Sequence, residues 1–425
     1  MRKILLKDGA ILFIGTFMNT MIMLLMQMIL ARNLALNEYG AVMSAFNLIN
    51  FLALFISLGA SEYILKSFGK YGESAYKIIQ TWLKVLPFSI FVLCIVTILI
   101  YFSGIFGELT SEFLLIIIPN IVLQGLLPLT LSIYQIEGNY KKIVLINLVV
   151  YVTRLLAAIV TLVNESNVYW VGYSLNLFSL IGLVYYYLHL KRYRSESLQI
   201  PSGNYESLHQ ESLLKETLKG ITPYALLGFF YFGFFQSNII FINIFLSESA
   251  VAIYNAAFTV ISLTFIFPTI VLSQLFNPKL HFWIKHDFEK VRVLFQKGSK
   301  WMLLFGVLIG GILMVLNDFV INILFGEKFL ESATILSILL IIIPIRYIQA
   351  VSDAIMNTEN QINIKSMIFF CVFIVSILLN ILIIPKFGLY GVVISSISSE
   401  VLLLLLTYVF CRRFIKKKIE THNKI

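Results

Sequence analysis

The chain has 425 residues, of which 59% are hydrophobic and 13% charged, with a formal net charge of +10. A soluble protein holds roughly 45–50% apolar and about 25% charged residues, so a water-soluble globule is excluded. The mean hydropathy of +0.90 needs a bilayer to hide that much apolar surface, in spans of about 20 residues each.

Twelve such runs follow one another: 9–30, 40–60, 83–103, 113–135, 143–163, 170–188, 220–246, 251–276, 301–324, 333–355, 366–384 and 388–410. Each is read as a helix, because only helices and closed barrels satisfy the backbone in lipid, and barrel-type alternation is missing. The first run is too long for a cleaved signal peptide and no A-x-A-like site follows it, so it is expected to stay. With the N-terminus in the cytoplasm, nearly all of the 32 basic residues fall in inner segments; the exceptions are Arg32, Lys328 and Lys386 outside and Arg154 and Arg346 within spans. That bias predicts a multi-pass protein of the plasma membrane with both termini cytoplasmic. It also makes the net charge a matter of topology, and a nucleic-acid partner is not expected. The inner segment 277–300, NPKLHFWIKHDFEKVRVLFQKGSK, reads equally as an interfacial helix on anionic lipid or as an ordinary connecting loop.

Short motifs recur in order along the chain. YGAVMSAF (39–46) is echoed by VAIYNAAF (251–258), the outer-loop triplet FGE (106–108) returns at 325–327, and LLIIIP (114–119) returns at 339–344. The inner turns IEGNYKK (136–142) and TENQINIK (358–365) form a further pair. These echoes match six spans to six spans and indicate a duplication. Six is even, so the halves share one orientation about an axis along the membrane normal. The expected organisation is a six-helix bundle over 1–188, a polar cytoplasmic linker over 189–219 containing Pro201 and Gly203, and a second bundle over 220–425 with a basic tail.

ARNLALNEYGAVMSAF (31–46), the FGE loops, the EGNYKK turn and PKFGLYGVVISSISSE (385–400) together resemble the polysaccharide-biosynthesis flippases. These are O-antigen translocases of the multidrug/oligosaccharidyl-lipid/polysaccharide (MOP) exporter superfamily. The resemblance implies an all-α integral membrane fold, two six-helix bundles in a V like that of the MATE transporters. It implies as substrate an oligosaccharide repeat unit on undecaprenyl pyrophosphate, moved from the inner to the outer leaflet of a bacterial plasma membrane by alternating access. Implied partners are the lipid-linked oligosaccharide, membrane lipids, and the polymerase and chain-length proteins of a glycan pathway.

No enzyme chemistry is legible. There is no G-x-x-x-x-G-K-[ST] phosphate loop. His189, His209, His281, His286 and His422 lie in inner segments without metal-ligand spacing, and Cys94, Cys371 and Cys411 lack a C-x-x-C pattern, so they read as small apolar groups. The outer loops are too short for a catalytic region. No cofactor is expected beyond a coupling proton or sodium ion.

Ionisable groups inside spans carry the candidate site, because a mid-bilayer charge costs about 2.5–3.5 kcal/mol or more. They are Arg154, Arg346 and Glu400. Arg346 heads a helical stripe with Gln349, Asp353 and Asn357, one face of a helix. The stripe reads as a cavity wall or as an Arg346–Asp353 pair that only orders the bundle. Arg154 either lines the cavity or pairs with Glu400. Glu400, among Ser395, Ser396, Ser398 and Ser399, either binds a coupling cation or knits helices together. Asn47, Asn50, Gln27, Gln236 and Asn243 suit sugar hydroxyls or interhelical bonds alike. The expected mechanism holds the pyrophosphate on Arg346 and Arg154 by bidentate charge-assisted bonds. Rival readings are a cation-coupled drug exporter, a lipid II flippase, and a non-transporting scaffold of a glycan-assembly complex.

Overall fold

A computed structural model describes residues 2–164, 167–192, 213–276, 280, 283–284, 287–357 and 361–422. Most of the expected linker, part of the 277–300 segment and the start of the second inner-turn echo lie outside the described residues, as do His209, His281 and His286. The chain forms two compact units, Met1–Phe232 and Gly233–Ile425. All regular structure among the described residues is helical.

The first unit contains α1 (Arg2–Asn33), α2 (Leu36–Ser57), α3 (Ala60–Tyr71), α4 (Tyr76–Ser103), α5 (Glu108–Ile116), α6 (Ile118–Ile136), α7 (Tyr140–Val163), α8 (Tyr169–Arg192) and the start of α9 (Leu213–Phe245). Helix α1 packs along α7, α2 along α6, and α8 against both α6 and α7. The α2–α6 approach is close because Gly125 faces Ile56: a Cβ there would lie 2.4 Å from the Ile56 Cβ. Small residues are how helices come together where no hydrophobic force drives them. The start of α9 docks on α2 and α3 through a tilted Phe51–Phe229 ring contact at 5.3 Å and through Gly220 beneath the Tyr63 ring.

The second unit contains the rest of α9, then α10 (Glu248–Thr264), α11 (Ser299–Phe325), α12 (Glu331–Leu339), α13 (Ile342–Met356) and α14 (Ile362–His422). Before α11 a short helix, Phe288–Val293, passes through a π-helical turn, Leu294–Gly298. Helix α11 packs on α13, α10 on α12, and α13 on α14. Helix α14 is 61 residues long and breaks at Gly388, whose φ of 58° and ψ of −136° only glycine adopts without strain. At 1.5 Å per residue, 61 residues would measure about 90 Å unbroken, three times the hydrocarbon core.

Both copies of LLIIIP sit at a break. Helices α5 and α6 meet at 63° and α12 and α13 at 43°, with Pro119 and Pro344 in the first turns of α6 and α13. Proline lacks the N–H and clashes with the carbonyl four residues back, so the helix ends just before it. In the first turn of the next helix neither defect matters. The repeated motif therefore encodes a repeated bend.

Among the described residues, eight helices are long and apolar enough to cross a membrane, or up to ten when each bent pair counts as one span. The difference from twelve has identifiable sources. Helix α8 carries five tyrosines in 24 residues and is less apolar than its neighbours, and α14 is one element across two expected spans. The surface is apolar where that of a soluble protein is polar, and the interior admits polar groups. Phe102 is 78% exposed and Val315 83%, whereas Thr97, Thr130, Asn380 and Thr407 are fully buried. Lipid supplies the missing apolar contact.

Candidate functional site

Arg154 sits in α7, 8% exposed. Its guanidinium carbon lies 5.4 Å from the Phe46 ring centroid and 5.8 Å from that of Tyr151. Phe46 closes the YGAVMSAF motif in α2 and meets Phe113 edge-on at 6.5 Å, so the cation rests on a two-ring platform. Nε has no hydrogen-bond partner, and no carboxylate among the described residues pairs with the group. Glu400, the partner weighed from the sequence, belongs to the second unit and pairs there with Arg346. A buried guanidinium with aromatic support and no carboxylate partner has the chemistry to take an anion.

Arg346 does have a partner. Its Nη2 lies 2.6 Å from Glu400 Oε1, bringing α13 and α14 together. The guanidinium also lies over Phe235 at 4.7 Å, Phe265 at 5.6 Å and Phe234 at 5.7 Å. Asp353, the other candidate partner, instead takes Lys365 at 3.2 Å, and Lys365 Nζ donates to Asn357 Oδ1 at 2.8 Å. The stripe on α13 therefore exists, but it is divided into two ion-paired clusters seven residues apart. The reason is geometric: two helical turns separate Arg346 from Asp353 by about 10 Å along the axis, while α14 presents a carboxylate directly opposite Arg346.

The seam between α13 and α14 is polar beyond this pair. Glu400 Oε2, both amide atoms of Gln349, and the hydroxyls of Ser352, Ser395 and Ser399 are buried without hydrogen-bond partners. Leaving such groups unpaired costs about 1–3 kcal/mol each, so water or another polar partner would be favourable in this seam.

The amides are placed unevenly. Asn47 Nδ2 donates to its own helix at Met43 O, 2.9 Å away, and Gln27 accepts from the buried Tyr39 hydroxyl at 3.5 Å. Asn50 and Gln236 are half-buried, and Asn243 is buried. Sequence reasoning missed a buried network two residues from Gln236. Asn238 Nδ2 donates to Ser396 Oγ at 2.8 Å and to the Tyr254 hydroxyl at 3.1 Å, and its Oδ1 accepts from Asn380 Nδ2 at 3.0 Å. It ties α9, α10 and both arms of α14. The isolated amides in apolar runs were a readable signal; which helix face they occupied was not.

A sequence profile of the family described as polysaccharide biosynthesis protein matches residues 5–274. The probable low-salt glycan biosynthesis flippase Agl15 of Haloferax volcanii is 25% identical over 320 residues, 75% of this chain and 64% of the relative. The chain thus spans just under two thirds of that relative's length. Among solved structures, the lipid II flippase MurJ in an inward closed conformation has a TM-score of 0.71 at 16% identity, over 93% of this chain and 86% of that one. An inward-facing multidrug transporter of the MATE family and MOP superfamily has a TM-score of 0.72 at 14% identity, over 95% and 96%. A MOP superfamily transporter from Pyrococcus furiosus has a TM-score of 0.63 at 14% identity, over 98% and 96%. At these identities the likeness to solved structures is one of fold.

Proposed function

Because the chain belongs to the polysaccharide biosynthesis protein family and has the fold of MOP transporters, we propose that it flips a polyprenyl-pyrophosphate-linked oligosaccharide across the membrane. In a bacterium the polyprenyl carrier is undecaprenol, the leaflets are those of the plasma membrane, and the repeat unit belongs to an O-antigen or similar surface polysaccharide. The observation that carries this reading is Arg154, a buried cation with no carboxylate or hydrogen-bond partner among the described residues. Arg346 and Glu400 neutralise one another, so the net charge of the three mid-span groups is that of Arg154. That balance suits a pyrophosphate and disfavours the cationic substrate of a drug exporter.

In this mechanism the guanidinium of Arg154 takes two phosphoryl oxygens in its planar fork, and amides of the same unit such as Asn50 meet sugar hydroxyls. The headgroup is then exposed alternately to the two faces. Glu400, with one oxygen on Arg346 and one without a partner, is the group that takes a coupling proton or cation and so changes how firmly α13 and α14 are joined. A scaffold would need none of this. The test is reconstitution of the purified chain in vesicles loaded with a fluorescent polyprenyl-pyrophosphate oligosaccharide. Added glycosidase should reach the sugars of both leaflets, whereas protein-free vesicles expose about half. Equal exposure with and without the protein would overturn the proposal.

A further inference from the structure

At one end of the second unit the start of the α11 region and the last turns of α14 line a half-open cavity of about 580 Å³, within the range of about 300–1,000 Å³ usual for small-molecule sites. Its walls include Arg292, Arg412 and Lys416, with Glu420 as the acidic member, over a floor of Phe295, Tyr408 and Ile415. The spacing explains the arrangement. Tyr408, Arg412, Ile415 and Lys416 recur at helical intervals on one face of α14, and Arg292 and Phe295 share a face of the opposing helix. The π-helical turn Leu294–Gly298 turns the buried Phe295 onto Tyr408, ring centroids 4.8 Å apart. Such turns recur at functional sites.

The cations are available. Arg412 is exposed and pairs with no carboxylate among the described residues. Arg292 holds Glu289 at 3.2 Å and Lys416 holds Glu420 at 3.9 Å, with all four side chains exposed. The depth is also defined. Val293, just after Arg292, and Leu405 and Val409, just before Arg412, are exposed apolar side chains, and Arg412, Arg413, Lys416, Lys417 and Lys418 follow Val409. The cavity thus stands where a lipid-facing apolar surface gives way to a cationic one.

We infer that this cavity binds the headgroup phosphate of an anionic glycerophospholipid from the adjoining leaflet. Arg412, Lys416 and Arg292 take the phosphate, the aromatic floor takes the glycerol backbone, and the acyl chains run along the exposed valines and Leu405. Basic pockets between helices at a cytoplasmic membrane face recognise anionic headgroups in this way, and the orientation proposed above places this end there. The bound lipid staples the start of the α11 region to the end of α14.

The experiment follows thermal unfolding of the full chain in a neutral detergent with phosphatidylglycerol, phosphatidylcholine or inorganic phosphate added. Phosphatidylglycerol should raise the midpoint by several degrees and the other two should not. The double variant Arg412→Gln/Lys416→Gln should lose that shift, and Arg292→Gln, on the opposite wall, should reduce it. Arg413→Gln, outside the cavity, should retain it. An undiminished shift in both cavity variants, or an equal shift with phosphatidylcholine, overturns the inference. A shift with inorganic phosphate alone shows a soluble-ion site and overturns it as well. None of these readouts needs the glycan substrate, so the outcome is separate from that of the transport proposal.

Discussion

Replacing Arg154 by methionine separates a functional cation from a structural one. Inserting a mid-bilayer arginine costs about 2.5–3.5 kcal/mol. Contacts with the Phe46 and Tyr151 rings, at 5.4 and 5.8 Å, return about 0.5–1 kcal/mol each. No ion pair or hydrogen bond adds to that sum, so roughly 0.5–2.5 kcal/mol of net cost remains. Methionine fills the same channel, and its sulfur remains favourable against Phe46. Arg154→Met should therefore unfold later, by roughly 1–10 °C at about 2–4 °C per kcal/mol for a unit of this size. The same change removes a charge-assisted contact with the pyrophosphate worth about 1.5–3 kcal/mol, so flipping should slow by about 10–100-fold. Arg154→Lys keeps the charge, loses the fork and should fall between the two. The assays are thermal unfolding in lipid nanodiscs and headgroup exposure in vesicles. A lowered melting point with flipping retained would refute the reasoning and make Arg154 a packing residue.

Arg346→Met strands the Glu400 carboxylate and should cost about 3–5 kcal/mol, whereas Arg346→Met with Glu400→Leu should recover most of that loss. Glu400→Gln should leave flipping insensitive to the ion gradient, and retained gradient dependence would remove Glu400 from coupling. Gly306→Val places a Cβ 2.7 Å from the Pro344 Cα, so α11 must move off α13 at about 1–3 kcal/mol, read as a lower melting point. In a background without Cys94, Cys371 and Cys411, a cysteine at 328 should react with an impermeant thiol reagent from outside intact cells and one at 142 should not. Labelling at 142 would invert or renumber the spans.

Composition and period were enough to establish a membrane-embedded all-helical chain, because only helices and closed barrels satisfy the backbone in lipid and the alternation of a barrel is missing. The repeated bend was legible as well. LLIIIP marks the α5–α6 and α12–α13 breaks because proline forbids the hydrogen bond that would continue the helix. The cost of burying charge singled out Arg154, Arg346 and Glu400 from the sequence alone. What the sequence could not assign was the partner of each. Helical spacing grouped Arg346 with Asp353, but pairing depends on which helix lies opposite, and only the packing of α14 on α13 gave Glu400 to Arg346 and left Asp353 to Lys365. The same holds for Asn238, whose bonds to Ser396 and Asn380 join residues more than a hundred positions apart. A one-dimensional pattern fixes which face of a helix is polar; which polar groups meet across that face is decided by the rotation and depth of the neighbouring helices.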